Sequence, residues 1–117
     1  MVSASFQVST KQDGDVDIIL FSGRMDANSS PEGENAIQSL VRSGRTKIVV
    51  NASGLSYISS SGLRVLLAGL KQARQAGGDL RLACLQPQVH DVIAMTGFNR
   101  IFTIFEQEEQ AVGSFFS

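Results

Sequence analysis

The sequence predicts an α/β fold on a mixed β-sheet, in which an opening antiparallel pair of strands is followed by alternating helices and strands. The first observation is a hairpin pattern, because strand-like residues 6–10 and 17–21 flank the turn residues 13–15. The second is that apolar runs at 47–51 and 80–85 alternate with segments of helical periodicity. Helical crossovers make the strands that they connect parallel, so the later part of the sheet is expected to be parallel.

Length and composition predict a single domain over residues 1–117. The chain is 43% hydrophobic and 18% charged, which is sufficient for a core that needs neither disulfides nor a metal. Its single cysteine, Cys84, lies in the apolar run 80–85 without a CxxC partner. We therefore expect Cys84 to be a buried apolar residue, and we expect no metal site.

Charge and hydropathy exclude two classes of partner. A formal net charge of −1 and a pI near 5.7 leave no excess of positive charge for the phosphates of a nucleic acid. No segment approaches the ~18 apolar residues that span a bilayer, and the amino terminus lacks a basic segment followed by an apolar one. We expect a cytoplasmic protein without nucleic-acid binding or membrane insertion.

The first predicted helix begins among helix-start residues at 26–32 and ends near Arg42, with Gly44 as its stop. Its inner face contains four apolar residues at helical spacing: Ala36, Ile37, Leu40 and Val41. The β-branched run 47–51 is predicted to be a central strand, followed by a loop over 52–57.

The second helix is amphipathic and ends at Gly77 and Gly78. Its apolar residues fall at i, i+3, i+4 and i+7: Leu63, Leu66, Leu67 and Leu70. A strand is predicted at 80–85, and a short helix then starts near Pro87, contains Val89, Val92, Ile93 and Met95, and closes at Gly97. The final elements are a strand at 101–105 and a helix in the acidic tail.

The junction at 58–64 is the candidate functional site. With Ser59 as N-cap, Ile58 and Leu63 have the spacing of a hydrophobic staple, and Ser60 takes the first helical position. The Ser60 hydroxyl is then free of capping, whereas Ser61 lies deeper in the first turn. Arg64 follows four residues later, a separation that places two side chains on one helix face. Because the start of a helix tolerates negative charge, Ser60 is a candidate for phosphorylation.

The chain resembles the STAS domain family, in particular the bacterial anti-sigma-factor antagonists. The resemblance runs over nearly the whole chain and rests on motifs in matching order and spacing: Phe21-Ser22-Gly23-Arg24-Met25-Asp26, a strand ending at Asn51, Leu55-Ser56-Tyr57-Ile58-Ser59-Ser60-Ser61-Gly62-Leu63, Gly77-Gly78, and Thr96-Gly97-Phe98 before Ile101-Phe102.

The resemblance implies partner switching. The unphosphorylated antagonist would bind an anti-sigma factor that is also a serine kinase, phosphorylation would release it, and a metal-dependent serine phosphatase would reverse the modification. The phosphorylated serine of the family matches Ser60, and its acidic residue after the second strand matches Asp26. Many members have Asp directly before the phosphoserine, where this chain has Ser59. The expected partner-binding residues are Asp26, Ser59, Ser60, Ser61 and Arg64.

Other interpretations of these residues remain open. Ser60 fits a merely polar helix start, Asp26 a cap or turn, and Arg64 a solvated helix residue. His90 is best explained as a lone surface histidine, because Asp91 beside it points in another direction. The sequence has no glycine-rich phosphate loop with Lys, nucleophile elbow or paired His ligands, so we expect neither an enzyme nor a cofactor. The alternative function is a STAS accessory subunit that docks on a membrane transporter or lipid-trafficking complex without phosphorylation.

Overall fold

The computed structural model describes residues 5–116, which form a five-stranded β-sheet with helices on both faces. The strands lie in the sheet in chain order: β1 (Gln7–Asp13), β2 (Val16–Met25), β3 (Lys47–Ile58), β4 (Asp79–Ala83) and β5 (Ile104–Phe105). β1 pairs with β2 antiparallel, and each later pair is parallel. The helices are α1 (Ser30–Arg42), α2 (Ser60–Gln75), α3 (Pro87–Met95) and α4 (Glu108–Gly113), with a 3₁₀ turn at Phe98–Arg100. The predicted fold class is confirmed.

Both faces are covered at the centre of the sheet, which explains the nearly continuous buried runs at 16–19 in β2 and 48–52 in β3, whereas the edge strand β1 is polar and mostly exposed. In β2, Ile19 and Phe21 point into the larger core, which includes buried residues of α1, α2 and α3. Val16 and Ile18 point to the other face, where residues of α4 pack on them. None of the helices among residues 5–116 is long and apolar enough to cross a lipid bilayer.

The largest correction concerns residues 52–57, which belong to β3 and not to a loop. Leu55 and Ile58 are buried here, with exposed residues between them. The pairing of β3 with β2 shifts between Leu20 and Ser22 and again between Gly23 and Arg24. These irregularities disturb the alternation of apolar and polar residues by which a strand is recognised in a sequence. The polar residues of this segment were therefore interpreted as a loop.

Smaller predictions in the second half of the chain are also corrected. The last strand covers only Ile104–Phe105, because the chain turns through residues 98–102 before it reaches the sheet. β4 ends at Ala83, and Cys84 turns the chain with φ +63° and is half-buried. Desolvation by burial raises the pKa of the Cys84 thiol. Met95 is 85% exposed, because it lies two residues beyond the buried Ile93 and points away from the core.

Helix α4 is attached to the sheet through Glu108. Asn51, a buried polar residue of β3, donates from Nδ2 to Glu108 Oε1 at 2.8 Å, and Lys11 Nζ lies 3.0 Å from Oε2. Burial raises the pKa of Glu108, but the hydrogen bonds from Asn51 and Lys11 outweigh this effect and leave the pKa below its ordinary value. The charged form of Glu108 is therefore the one that stabilises the fold.

We expect the free energy of unfolding to depend less on pH in the acidic range in Glu108→Gln than in wild type. Since the folded state lowers the pKa of Glu108, its contribution is complete above the ordinary glutamate pKa of about 4.3 and is lost as the pH falls through the folded value. Urea unfolding of both proteins at neutral and acidic pH should show the largest difference at neutral pH. Glu109→Gln, an exposed neighbour in α4, is the control. A constant difference between Glu108→Gln and wild type at all pH values would contradict this role.

Candidate functional site

The carboxyl ends of β2 and β3 lie side by side and bring two predicted site residues together. Arg24 is paired with Tyr57 and Met25 with Ile58 in the parallel ladder. Directly beyond it, the backbone N–H of Ser59 donates to the Met25 carbonyl oxygen at 2.8 Å. Asp26, which follows Met25, therefore lies at the same edge as the start of α2. In sheets of this kind, this edge is where ligands and partners usually bind.

Ser59 caps α2 as the sequence predicts. Its backbone is extended, with φ −90° and ψ 174°, and its Oγ accepts the Gly62 backbone N–H at 3.2 Å. Ile58 and Leu63 on either side are both buried in the larger core, in agreement with the predicted staple. The start of α2 is thus determined by Ser59 and not by Ser60.

Ser60 is the first residue of α2, and it is exposed. Within residues 5–116, its hydroxyl takes part in no hydrogen bond. Ser61 is half-buried, and Arg64 is exposed one turn further along the helix without an ion pair to any described residue. The arrangement leaves the Ser60 hydroxyl accessible to a modifying enzyme and leaves the Arg64 charge unneutralised.

Asp26 shapes the loop that leads into α1. Its Oδ1 accepts hydrogen bonds from the Asn28 N–H at 3.0 Å, and from the Ser29 N–H and hydroxyl at 3.1 Å each. The Ser29 N–H is the main cause that lowers the pKa of Asp26; partial desolvation opposes it, and the Ser29 hydroxyl, the Asn28 N–H and the Arg24 charge add to it. The carboxylate is therefore ionised at neutral pH, and it has the structural turn role that the sequence left open.

Met25 lies beneath this edge and contacts both helix starts. It is fully buried. A Cβ atom on Gly33 of α1 would lie 2.7 Å from Met25 Cε, and one on Gly62 of α2 would lie 3.1 Å from Met25 Cγ. Only residues without a side chain allow both helices to approach Met25 this closely. The position of Ser60 therefore depends on the packing of Met25.

Sequence reasoning missed one pair of residues at this edge. The Arg24 guanidinium carbon lies 4.1 Å from the centroid of the Tyr57 ring, in cation–π geometry, and the Tyr57 side chain is 38% exposed. The signal was hidden because Tyr57 fell in the segment interpreted as a loop. Its partner Arg24 lies 33 residues earlier, and only the register of β2 on β3 brings the two together.

Comparison with known proteins gives matches over nearly the whole chain. The family model of the STAS domain matches residues 7–111. The protein BtrV of Bordetella bronchiseptica, whose name classes it as an anti-sigma factor antagonist, is 35% identical over 98 residues, which are 84% of each chain. The anti-sigma F factor antagonist of Paenibacillus polymyxa is 30% identical over 112 residues, covering 92% of this chain and 93% of that one.

Solved structures share the fold. An anti-sigma factor antagonist from Mycobacterium paratuberculosis superposes with a TM-score of 0.87 at 23% identity over 97% of each chain. The phosphorylated form of the Bacillus cell fate determinant SpoIIAA gives 0.72 at 22% identity, covering 94% of this chain and 98% of that one. Part of the murine anion transporter Slc26a9 gives 0.74 at 18% identity, covering 87% of this chain and 18% of the transporter. At these identities the likeness concerns the fold alone.

Proposed function

The chain belongs to the STAS domain family, and from this premise we propose that it is an anti-sigma-factor antagonist that acts by partner switching. Unphosphorylated, it binds an anti-sigma factor serine kinase and thereby frees a sigma factor. Phosphorylation of Ser60 by that kinase ends the binding, and a serine phosphatase restores it. In this role the chain is a cytoplasmic substrate of enzymes and not an enzyme itself.

The observation that carries the proposal is the uncommitted, exposed hydroxyl of Ser60 at the start of α2. Because Ser59 performs the capping, a phosphate on Ser60 leaves the cap intact. The phosphate adds about −1.5 to −2 charge, and at a helix N-terminus negative charge stabilises by about 0.3 to 1 kcal/mol. The fold therefore accommodates both states of the switch.

The other predicted site residues take supporting roles in the proposed docking surface. Ser59 replaces the Asp found in many family members and retains its capping function, so one negative charge fewer lies beside the phosphate. Ser61 is half-buried and lies on the inner side of the first turn of α2. Arg64, one turn beyond Ser60, is placed to meet the phosphate. Asp26 supports the neighbouring loop, and its ionised carboxylate is proposed to face the kinase as well.

Incubation with the anti-sigma factor kinase from the same genome and ATP tests the modification. We expect the intact mass to rise by one phosphate and fragmentation to place it on Ser60. Ser60→Ala should show no increase, whereas Ser61→Ala, whose hydroxyl lies one residue further into the helix, should still be modified. A phosphate mapped to another residue would refute the assignment. An unmodified wild-type chain that instead copurifies with a transporter subunit would favour the accessory role.

A further inference from the structure

The Arg24–Tyr57 pair is an exposed, preassembled platform beside the proposed switch. The guanidinium of Arg24 lies over the Tyr57 ring at 4.1 Å, and the two residues face each other across the β2–β3 ladder. One rung further, the Ser59 N–H bonds to Met25, so the platform adjoins the start of α2. Because Arg24 and Tyr57 already contact each other, less side-chain entropy is lost when a partner binds them.

The platform has the composition of an interface anchor. Arginine and tyrosine are enriched among the residues that contribute most to protein–protein affinity. Among the large apolar side chains exposed within residues 5–116, Tyr57 lies at the carboxyl edge of the sheet, and Met95 is the last residue of α3. Phe116 lies near Gly14 in the β1–β2 turn. The Ile101 carbonyl oxygen accepts a hydrogen bond from Arg74 in the last turn of α2. Phe116 and Ile101 therefore lie at the amino edge of the parallel strands, opposite to Tyr57.

The charge of Arg24 is available to a partner. Lys11, Arg45, Arg74 and Arg81 form ion pairs within the described part of the chain, whereas Arg24 forms none. Arg24 lines an open depression together with Asp26 and Glu32. Asp26 accepts hydrogen bonds from Asn28 and Ser29, and neither it nor Glu32 forms an ion pair with Arg24, although the Arg24 charge contributes to the lowered pKa of Asp26. A carboxylate of the partner can therefore bind the Arg24 guanidinium through two parallel hydrogen bonds.

We infer that the partner's docking surface carries an acidic side chain that binds Arg24 on this platform. The inference rests on the proposed function and specifies the partner as an anti-sigma factor kinase with a carboxylate at this contact. It also explains the direction of the switch. A phosphate on Ser60 places negative charge at the same edge, where it repels the acidic side chain that Arg24 attracts.

Charge reversal at Arg24 tests the inference with the purified anti-sigma factor kinase of the same genome. We expect Arg24→Glu to weaken binding at least about tenfold and Arg24→Gln to weaken it less, because only Glu adds repulsion. The difference between Arg24→Glu and wild type should shrink from 0.1 M to 1 M salt, as the screening length falls from about 10 Å to about 3 Å. Isothermal titration calorimetry at both salt concentrations gives the dissociation constants.

Matched variants make the result specific. Arg42→Glu, with the same charge change in the last turn of α1 at the opposite edge, should bind like wild type. Tyr57→Ala should weaken binding and Tyr57→Phe should not, provided that circular dichroism shows each variant folded. Equal or tighter binding by folded Arg24→Glu would overturn the acidic contact while Ser60→Asp still releases the kinase. A wild-type chain that does not bind the kinase would overturn the proposed function and the inference together.

Discussion

Ser60→Asp is expected to weaken binding to the anti-sigma factor kinase by about a hundredfold or more while leaving the circular dichroism spectrum unchanged. The carboxylate takes the place of the exposed hydroxyl at the first position of α2, where the helix dipole favours negative charge and Ser59 retains the cap. Enclosed in an interface where the kinase offers no cation of its own and only Arg64, one turn further along α2, can partly offset it, the same charge costs several kcal/mol, which is about two orders of magnitude in affinity. Binding is therefore lost before the fold is affected.

Two control variants test whether the loss of binding comes from negative charge at Ser60. Ser60→Ala removes the hydroxyl without adding charge and should bind the kinase as tightly as wild type. Ser39→Asp makes the same substitution at an exposed serine of α1 and should also retain binding. Fluorescence anisotropy with labelled kinase measures all four proteins under one condition. An unchanged dissociation constant for Ser60→Asp, or an equal loss in Ser39→Asp, would exclude blocking by charge at Ser60.

The local geometry at the start of α2 could be predicted because it depends on short-range rules. Ser59, Ile58 and Leu63 satisfy the spacing of a cap and a staple, and the structure places all three accordingly. The same holds for the hairpin, in which residues 14 and 15 form the turn between β1 and β2 and Asp13 is the last paired residue of β1. Structural features that depend on residues only a few positions apart can therefore be predicted from a single sequence.

What the sequence did not reveal depends on pairing between distant segments. The carboxyl half of β3 is a strand because β2 pairs with it, through two register shifts that no local pattern shows. Tyr57 and Arg24 form a platform for the same reason. For Asp26, sequence reasoning left a turn and a binding role open, and the hydrogen bonds with Asn28 and Ser29 establish the turn. Its contact with a partner remains part of the proposal.

The burial of Met25 is the packing feature on which the geometry of the site depends most directly. Its side chain fills the space left by Gly33 and Gly62, so the first turns of α1 and α2 both lie against it. Shortening it leaves a cavity under both helix starts at once. The hydrogen bond from the Ser59 N–H to the Met25 carbonyl involves backbone atoms only, so we expect it to remain when the side chain is shortened.

Met25→Ala is accordingly expected to lower the free energy of unfolding by about 2 to 5 kcal/mol, the range observed when large buried side chains are truncated. A domain of this kind has only about 5 to 15 kcal/mol of stability, so the urea midpoint should fall markedly. Met25→Leu nearly conserves the volume and should cost less than about 1.5 kcal/mol. If Met25→Ala unfolded within about 0.5 kcal/mol of wild type, the range of ordinary surface substitutions, Met25 would not support the two helix starts. Hydrogen exchange localises the effect: the amides of Gly62 and Leu63 should lose protection in Met25→Ala before those in the middle of α2, because the cavity lies under the first turn.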